Sequence, residues 1–422
     1  MQETFTHKNL NINLTINGAN KYTKISYPVK YGMYSEIETR EFIFHFNLNH
    51  EIIRAKGKNK EWIHPLEWLK RTMGNDWIYY SSGGYTGVFE AIGEYYLPNF
   101  QYPTNALTGG RPFKTRAVDK IIRTWHSELL KIAASACVTN EKIKAFLSNA
   151  AANSPDILQK KGAALYSDPK ERVSVLPPDA RHVDYNIIPL NISTGCLYNC
   201  SFCRVKTGCA FREKTKNEIN EEIKRLKQVY AKDIVNYNAV FLGQHDALNA
   251  DKRLVLYAAE KAYAEFNFKN SYIQDNYLFL FGSADSLLNA ENDLFNKLNR
   301  LDYKTYINIG LESADQDTLD HIGKPLTEKK VRQAFLTIRE INSTFENIEI
   351  TSNFVMDESL PSGHMPSFMA LARESTPKVQ SKGCIYLSPL AVNAPSREKM
   401  FTFNRIKTAV RFPTYLYIIQ RL

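Results

Sequence analysis

Three cysteines fall within eight residues, in the segment ISTGCLYNCSFC (192–203). Cys196, Cys200 and Cys203 follow an apolar run at 185–192 that has the composition of a strand. Three thiolates on one loop can each hold one iron of a cubane cluster, and the fourth iron then lacks a protein ligand and is open to a substrate or cofactor. Gly195 would let the backbone turn tightly beside the inorganic core. The spacing therefore predicts an open [4Fe–4S] cluster at the end of a strand.

Two other metal sites use the same residue types. A structural zinc site closes with four ligands, normally as two close pairs, and Cys209, His182 or His245 would have to be the fourth at an unusual spacing. A ferredoxin-type cluster also needs a fourth cysteine, for which Cys209 is poorly placed. Cys209 and Cys384 could instead help to ligate a second cluster, whereas Cys137 has the apolar context of a small buried side chain. A three-cysteine open cluster is favoured.

The CxxxCxxC pattern, with the aromatic Phe202 before its last cysteine, resembles the signature of the radical S-adenosylmethionine (SAM) superfamily. In that family the amino and carboxylate groups of SAM chelate the unique iron. One electron from the reduced cluster then breaks the sulfonium bond, and the 5′-deoxyadenosyl radical that results abstracts hydrogen from the substrate. The resemblance implies an oxidoreductase-like enzyme with Cys196, Cys200 and Cys203 as catalytic cluster ligands. It also implies SAM as a cofactor and an electron donor such as flavodoxin or ferredoxin.

Further segments resemble SAM-binding motifs of the same family, each at the end of a successive strand-like run. Gly243, Gln244, His245 and Asp246 occupy the place of the glycine-rich segment that holds the SAM amino group. They depart from the commoner GGE or GGG form, which leaves open the atoms that hold the amino group, although Asp246 could pair with the ammonium. After the third run, the segment FGSAD places Ser283 where relatives present a polar residue to the SAM ribose or ammonium.

The segment IGLES (309–313) resembles the G-[LV]-[EQ]-S element of oxygen-independent coproporphyrinogen oxidases, methylthiotransferases and their relatives. The resemblance implies that Glu312 accepts hydrogen bonds from the ribose hydroxyls. Lys324 falls where some relatives place a basic residue against the SAM carboxylate, which would form a charge-assisted bond. The resemblance covers roughly residues 180–410 and does not extend to the first 170 residues.

Strand-like runs at 185–192, 238–243, 277–283, 304–311, 347–356 and 383–390 alternate with helical patterns. This alternation predicts βαβ units and a parallel sheet with its active residues at the carboxyl ends of the strands. Six units favour an α/β fold of the open (β/α)6 partial TIM barrel type over a closed barrel of eight. Thr215 and Glu218 have the spacing of a capping box at the start of one helix. His364, after the fifth run, could shape a substrate pocket or lie in a plain loop.

The first part of the chain has a different pattern. Runs at 21–34 and 41–53 predict strands, and helices are predicted over 64–74, 116–136 and 140–152. Turns are expected across 76–113, and the polar, proline-broken stretch 167–185 is the best linker candidate. We therefore divide the chain into an N-terminal α+β region of unknown role, residues 1–179, and a radical SAM core, residues 180–422. Core packing is favoured over the stacking of bases or sugars for a group of tyrosines: Tyr79, Tyr80, Tyr85, Tyr95 and Tyr96.

Composition sets broad limits on function. The chain has 44% hydrophobic and 23% charged residues and a formal net charge of +10. The basic residues are interspersed with glutamates, a pattern typical of solvated helix faces, so nucleic acid is a possible but not a favoured partner. No apolar run reaches the ~18 residues of a membrane helix, and the amino terminus lacks a signal pattern, so we expect a cytoplasmic protein.

Two alternative functions remain open. One is a radical SAM enzyme that modifies tRNA or other RNA, which the positive charge permits. The other is a non-catalytic iron–sulfur or zinc protein with an interaction role, which would bind metal without affinity for SAM. The substrate is not identifiable from the sequence. Because the N-terminal region has no other recognisable chemistry, we hypothesise that it carries substrate recognition, as a lid or a partner-binding surface.

Overall fold

The computed structural model describes the chain in these segments: residues 3–22, 32–62, 65, 67–81, 97–98, 116–135, 137–166, 171–173, 175–198, 200–203, 209–243, 245–374, 382–390, 397–410 and 412–417.

The N-terminal region contains an eight-stranded antiparallel sheet in sequential order. Its strands are β1 (Glu3–His7), β2 (Leu10–Asn17), β3 (Met33–Glu38), β4 (Phe42–Phe46), β5 (Ile52–Gly57), β6 (Glu67–Arg71), β7 (Trp77–Ser81) and β8 (Leu97–Pro98). In the part of this region that the structure describes, three helices follow: α1 (Arg116–Ala133), α2 (Glu141–Ala152) and α3 (Pro155–Ala163). Alternate residues of β4, namely Phe42, Phe44 and Phe46, share an apolar core with Val118 and Leu129 of α1. The period-two pattern thus buries one face of the sheet under the helices.

The predicted helix over 64–74 is wrong, because residues 67–71 form strand β6. This strand pairs with β5 and β7 on its two sides. Leu69 is fully buried in the N-terminal core, whereas the neighbouring Trp68 packs against the barrel core. The buried Arg71 forms an ion pair with Glu51 at 3.2 Å. Neighbouring side chains therefore have partners on opposite faces, which only an extended strand allows.

The other N-terminal predictions have mixed outcomes. The helices predicted over 116–136 and 140–152 are confirmed as α1 and α2. Most of the stretch from 76 to 113 lies outside the described residues, including Tyr85, Tyr95 and Tyr96. Tyr79 and Tyr80 belong to strand β7, and their predicted role in packing stays a prediction.

The second part of the chain forms a seven-stranded parallel sheet, in the order β17-β16-β15-β14-β13-β12-β9. Its strands are β9 (Ile188–Pro189), β12 (Ala239–Phe241), β13 (Tyr277–Ser283), β14 (Lys304–Glu312), β15 (Ile348–Met356), β16 (Ile385–Pro389) and β17 (Thr414–Leu416). The predicted α/β class and open barrel are confirmed, with all six predicted strands present. The seventh strand, β17, was not predicted; it pairs in parallel with β16.

Helices alternate with these strands, as the βαβ pattern requires. They are α4 (Lys216–Tyr230), α5 (Lys252–Glu265), α6 (Ala284–Asn289), α7 (Asn292–Leu298), α8 (Gln316–His321), α9 (Glu328–Thr344), α10 (His364–Glu374) and α11 (Arg397–Ala409). The capping box of Thr215 and Glu218 is confirmed at the start of α4. Among the described residues, no helix has both the length and the apolarity to cross a membrane.

The predicted linker is instead packed inside the open barrel where the structure describes it. We call residues 175–183 the plug segment; it ends in a 3-10 helix, Pro178–Val183. Its Asp179 is fully buried and accepts hydrogen bonds from Thr351 Oγ1 on β15, at 2.7 Å, and Tyr386 Oη on β16, at 2.6 Å. Tyr417 also donates a hydrogen bond to the Leu176 carbonyl. Polar residues in this stretch therefore indicated a polar barrel interior and not exposure to solvent.

The N-terminal sheet packs against the end of the barrel where the parallel strands begin. Leu48 N donates to Asp233 at 3.2 Å, and Met33 N donates to Asn236 at 2.7 Å; both acceptors lie just before β12. Lys70 Nζ donates to the carbonyl of Asp184, before β9, at 2.7 Å. The cysteines follow β9 and lie at the opposite end of the barrel. The described contacts therefore do not place this sheet as a lid over the cysteines, and the division at residue 179 stays a prediction.

Candidate active site

The cysteine loop is closed at its base by a two-stranded hairpin. Strand β10 (Ser193–Thr194) precedes the cysteines and pairs in antiparallel fashion with β11 (Arg212–Glu213). Lys214 N donates to the carbonyl of Ile192 at 2.9 Å and extends this closure by one residue. The cysteines thus lie on a loop whose two ends are joined at the carboxyl end of β9.

Gly195 occupies a position that excludes a side chain. Its φ of +73° lies in the left-handed region, and a Cβ at this residue would lie 2.5 Å from the carbonyl carbon of Ala210 and 2.7 Å from the carbonyl oxygen of Cys209. These neighbours are backbone atoms, which cannot rotate away. The close contact of 195 with 209–210 fixes the path of the chain directly before Cys196.

A second contact joins the cysteine loop to the turn after α8. Ser201 Oγ donates a hydrogen bond to the Ile322 carbonyl at 2.6 Å. Gly323 has a φ of +63°, and a Cβ there would lie 2.6 Å from Ser201 Oγ. The next residue is Lys324, whose side chain is buried. This contact, between residues 121 apart in sequence, therefore brings Lys324 to the cysteine loop.

Tyr198 is a third attachment point of the loop. Its hydroxyl donates to Asp285 Oδ2 at 2.7 Å and accepts from the backbone N–H of Asp285 at 3.0 Å. Lys330 forms an ion pair with the other oxygen of Asp285 at 2.7 Å. The ring of Tyr198 lies 5.1 Å from Lys324 Nζ, within the range of a cation–π interaction. Tyr198 therefore joins the loop to the carboxyl end of β13.

The cysteines lie in a half-buried, charged environment. Cys200 is 6% exposed, whereas Cys196 and Cys203 are partly buried. Burial raises the pKa of Cys200 to about 11, and Lys324 opposes this rise while Glu312, Cys196 and Cys203 add to it. These groups are thus close enough to interact electrostatically.

Among the described residues, no three His, Cys, Asp or Glu side chains are arranged to hold a metal ion. That finding concerns ligands that converge on one ion, whereas each thiolate of a cubane binds a different iron. The residues fit an open cluster in other respects. Three thiols share one closed loop, a glycine lies where a Cβ would collide, and the buried cation of Lys324 is close enough to lower the pKa of Cys200.

Glu312 and Lys324 form a buried ion pair beside the cysteine loop, with a separation of 3.2 Å between Oε1 and Nζ. Burial alone would lower the pKa of Lys324, but Glu312, Cys200 and Cys196 raise it above its ordinary value. Glu312 has a φ of +66° at an irregularity of β14, an uncommon conformation for a residue with a side chain. A Cβ at Gly310 would collide with Glu312 Oε1 and lie 3.3 Å from Lys324 Nζ. The glycine of the IGLES motif therefore provides the space that this ion pair occupies.

Ser313 and His364 form a buried hydrogen-bonded pair. Ser313 Oγ lies 2.9 Å from His364 Nδ1, and His364 Nε2 lies 2.8 Å from the Val355 carbonyl. His364 is 2% exposed, and burial lowers its pKa. Its two ring nitrogens thus link the ends of β14 and β15. The structure places His364 at the start of α10 and not in a plain loop.

The segment after β12 brings a carboxylate to the same end of the barrel. Asp246 is 5% exposed, and its Oδ1 accepts from Ser283 N at 3.1 Å. Its Oδ2 has no hydrogen-bond partner among the described residues, and burial raises the pKa of the carboxyl. Gly243 has a φ of +134°, which favours glycine. The unpartnered buried oxygen fits an amine donor from a ligand.

The remaining residues predicted to bind SAM are Ser283, Phe202, His245 and Gln244. Ser283 caps α6 through its hydroxyl, which accepts from Ser286 N at 3.0 Å. Phe202 and His245 are partly buried, and burial lowers the pKa of His245. Gln244 lies outside the described residues. The roles of these residues in binding SAM stay predictions.

Two residues weighed as further metal ligands lie in the barrel interior. His182 stacks on Tyr306 with ring centroids 4.7 Å apart, and Cys384 is buried in a cluster with Tyr386 and Tyr417. Cys209 is exposed, although its backbone contacts Gly195. Sequence reasoning gave no role to Tyr198, Ser201 or Gly323. The only sequence signal for Tyr198 and Ser201 is their position between the cysteines, because the residues to which they bond are more than 80 residues away.

Comparison with known families confirms the resemblance inferred from the cysteines. Residues 190–356 match the family model described as the radical SAM superfamily. This match includes the cysteine loop, Asp246, Glu312 and Lys324, and it is shorter than the span of 180–410 inferred from the motifs. Members of this superfamily use a [4Fe–4S] cluster and SAM. No curated protein matches the chain.

Several solved structures align with the chain at low identity. A radical SAM methyltransferase from Sphaerobacter thermophilus is 13% identical over 54% of this chain and 65% of its own length, with a TM-score of 0.36. The cobalamin-dependent SAM radical enzyme OxsB is 13% identical over 52% of this chain and 29% of its own, at 0.33. Methylornithine synthase (PylB) is 11% identical over 71% and 84%, also at 0.33. The chain spans less than two thirds of the first two proteins, and no activity or substrate follows from alignments this weak.

Proposed function

We propose, on the premise that residues 190–356 are a radical SAM domain, that this protein is an enzyme that cleaves SAM reductively. A [4Fe–4S] cluster on Cys196, Cys200 and Cys203 would supply the electron, and a 5′-deoxyadenosyl radical would abstract hydrogen from a substrate. The observation that carries this proposal is the convergence of Glu312, Lys324 and the cysteine loop: Lys324 Nζ lies 3.2 Å from Glu312 Oε1 and 5.1 Å from the ring of Tyr198.

The charges around the loop complement those of SAM. At neutral pH the ligand carries a sulfonium, an ammonium and a carboxylate, and therefore has a net charge of +1. Asp246, Glu312 and Lys324, when all are ionised, sum to −1. All three are at most 9% exposed, so their charges are weakly screened by solvent. A cationic ligand would thus balance the summed charge of these three side chains when it binds.

Asp246, Lys324 and Glu312 would each bind a different group of SAM. The unpartnered Asp246 Oδ2 would accept a hydrogen bond from the ammonium of SAM. Lys324 Nζ would donate to the carboxylate, and Glu312 would accept from the ribose hydroxyls. Since Glu312 and Lys324 already hold each other at 3.2 Å, both are oriented before the ligand arrives. This lowers the entropy cost of binding.

The cysteine loop contributes rigidity and exclusion of water. Its attachments at Gly195, Tyr198 and Ser201 hold it on three sides. Cys200 is the most buried of the three ligands, so its surroundings are the driest. A buried thiol with a pKa near 11 holds its proton at neutral pH, and iron binding requires its loss. We therefore expect cluster assembly to release protons.

The decisive experiment measures 5′-deoxyadenosine by mass spectrometry after anaerobic reconstitution and addition of dithionite and SAM. Wild-type protein should produce it, and Cys200→Ala should not, because two thiolates hold the cubane poorly. Cys209→Ala is the matched control: it removes the next cysteine along the chain, which a four-cysteine cluster would require. It should keep its iron, sulfide and SAM cleavage.

Other outcomes would change the assignment. Loss of iron in Cys209→Ala would favour a four-cysteine cluster. If the wild-type cluster forms and is reduced but yields no 5′-deoxyadenosine, even with cell extract as a source of substrate, a non-catalytic iron–sulfur protein becomes the better description. Full iron and sulfide in Cys200→Ala would remove that residue from the ligands.

A further inference from the structure

The interior of the barrel has a continuous layer of residues next to the predicted SAM site. Gly310, Asn353, Tyr386 and Tyr415 are neighbours on β14, β15, β16 and β17 in the register of the sheet. Paired residues of parallel strands point to the same face. Because a Cβ at Gly310 would collide with the Glu312 carboxylate, this layer lies directly below the ion pair. It is therefore the part of the barrel interior nearest to where SAM would bind.

A cationic side chain from the plug segment enters this layer. Arg181 is 9% exposed, and its guanidinium lies 4.6 Å from the ring centroid of Tyr415 and 6.0 Å from that of Tyr386. Its Nε donates to Tyr386 Oη at 3.1 Å, and Tyr386 Oη in turn donates to Asp179 Oδ1 at 2.6 Å. Stacking and this hydrogen-bond chain fix the plane of the guanidinium.

The terminal nitrogens of Arg181 are left for another partner. Within the described part of the chain, the one hydrogen bond of the Arg181 side chain runs from Nε to a neutral hydroxyl. The carboxylate of Asp179 accepts from two other residues: Thr351 donates to its Oδ2 at 2.7 Å, and Tyr386 donates to its Oδ1. Burial would lower the pKa of Arg181, but Tyr386, Cys384 and Asp179 raise it well above its ordinary value, so the guanidinium is charged. Its terminal nitrogens could donate two parallel N–H groups to a planar oxyanion.

Polar side chains continue across the same layer toward Glu312. Asn353 and Asn308 exchange hydrogen bonds through their side-chain amides, at 2.6 Å and 3.2 Å, and Asn308 Nδ2 also donates to Thr351 Oγ1 at 2.8 Å. Asn353 is partly exposed, whereas Asn308 is fully buried. The layer therefore offers an amide between the ion pair and Arg181.

We propose that Arg181 binds an oxyanion of the substrate, a carboxylate or a phosphate, and that Tyr386 and Asp179 are positioning residues that hold it. This inference rests on the proposed function, because it places the anionic end of the substrate in the barrel below SAM. It identifies the substrate as a molecule that carries at least one such group. It also gives the plug segment a role in recognition.

The test uses the full-length reconstituted protein and three defined probes: glutarate, inorganic phosphate and the uncharged glutaramide. Binding is measured as the rise of the thermal unfolding midpoint with probe concentration, since a ligand of the native state stabilises it by mass action. Glutarate or phosphate should raise the midpoint of the wild type, and glutaramide should not. Which anion is effective decides between a carboxylate and a phosphate.

Arg181→Met should weaken binding of the effective anion at least about tenfold, because charge-assisted hydrogen bonds are lost. Arg253→Met is the matched control, since that arginine is 83% exposed on α5 and should leave the response unchanged. If Arg181→Met fails to fold, Tyr386→Phe keeps the ring but removes the hydroxyl that orients Arg181. It should weaken binding about three- to tenfold.

The outcomes separate this inference from the proposed function. Loss of anion binding in Arg181→Met with normal 5′-deoxyadenosine formation from SAM alone supports the inference. No response of the wild type to either anion, or an equal response of wild type and Arg181→Met, overturns it even if SAM cleavage is intact. Absence of SAM cleavage in the wild type refutes the proposed function, whereas the anion titration still decides whether Arg181 is a binding residue.

Discussion

Replacing Gly195 by alanine should prevent the cysteine loop from holding its cluster. A residue with a Cβ costs ~1–2 kcal/mol in the left-handed region that φ +73° requires. The new methyl would also lie 2.5 Å from the carbonyl carbon of Ala210, and such overpacking costs ~1–3 kcal/mol. Together these give ~2–5 kcal/mol, which changes the ratio of closed to open loop by roughly 30-fold or more.

The strain acts at the base of the loop, which is closed by a short hairpin, whereas the attachments at Tyr198 and Ser201 lie further along the loop. Strands β10 and β11 are two residues each, and a net ~1 kcal/mol per hydrogen bond does not exceed the cost of the methyl. We therefore expect the loop to open and the three thiols to separate. The assay is iron and acid-labile sulfide per chain after anaerobic reconstitution, together with 5′-deoxyadenosine formation. Both should fall to a small fraction of the wild-type values.

Gly162→Ala provides the control for a general loss of stability. A Cβ at that residue would lie 2.9 Å from the backbone carbon and oxygen of Gly74, within the N-terminal region. This variant should be less stable but should keep its iron. Full iron and normal SAM cleavage in Gly195→Ala would refute the reasoning, and so would an equal loss of iron in both variants.

Three further predictions concern single side chains. Tyr198→Phe loses the 2.7 Å hydrogen bond to Asp285. It should raise the KM for SAM about tenfold, as expected for the loss of a bond to a charged group. An unchanged KM would contradict the positioning role of Tyr198. Lys324→Met removes the cation beside Cys200 and should weaken SAM binding at least about tenfold in equilibrium titrations; unchanged affinity would exclude a contact with the SAM carboxylate. Burial raises the pKa of Asp179 from 3.8 to about 6, so its ionisation costs the folded state ~3 kcal/mol, a loss that develops as pH rises from about 4 to 6. The thermal unfolding midpoint of the wild type should therefore fall over this pH range, and that of Asp179→Asn should not. Identical pH profiles of variant and wild type would contradict this prediction.

The location of the N-terminal region bears on how a substrate could enter the barrel. Its described sheet packs where the barrel strands begin, through Asp184, Asp233 and Asn236. The cysteines and the Glu312–Lys324 pair are at the other end. A partner-binding role for this sheet remains a hypothesis, which deletion of residues 1–170 would test by its effect on substrate turnover.

Local patterns in the sequence were sufficient for the class of fold and for the resemblance of the cysteine motif to the radical SAM family. The spacing of Cys196, Cys200 and Cys203 is a property of eight consecutive residues, so no knowledge of distant contacts was needed. Alternation of apolar strands and amphipathic helices likewise depends on short segments, and it predicted the parallel sheet. The capping box at Thr215 is local in the same way.

Only the tertiary structure decided which distant groups meet. Lys324 reaches Cys200 because Gly323 packs on Ser201, and Arg181 enters the barrel because an open sheet leaves an interior that the plug segment fills. Residues 67–71 became a strand because β5 and β7 supplied partners on both sides, against a local helical pattern. Pairing, register and burial depend on residues far apart in sequence, and the free energy of those contacts exceeds local conformational preference.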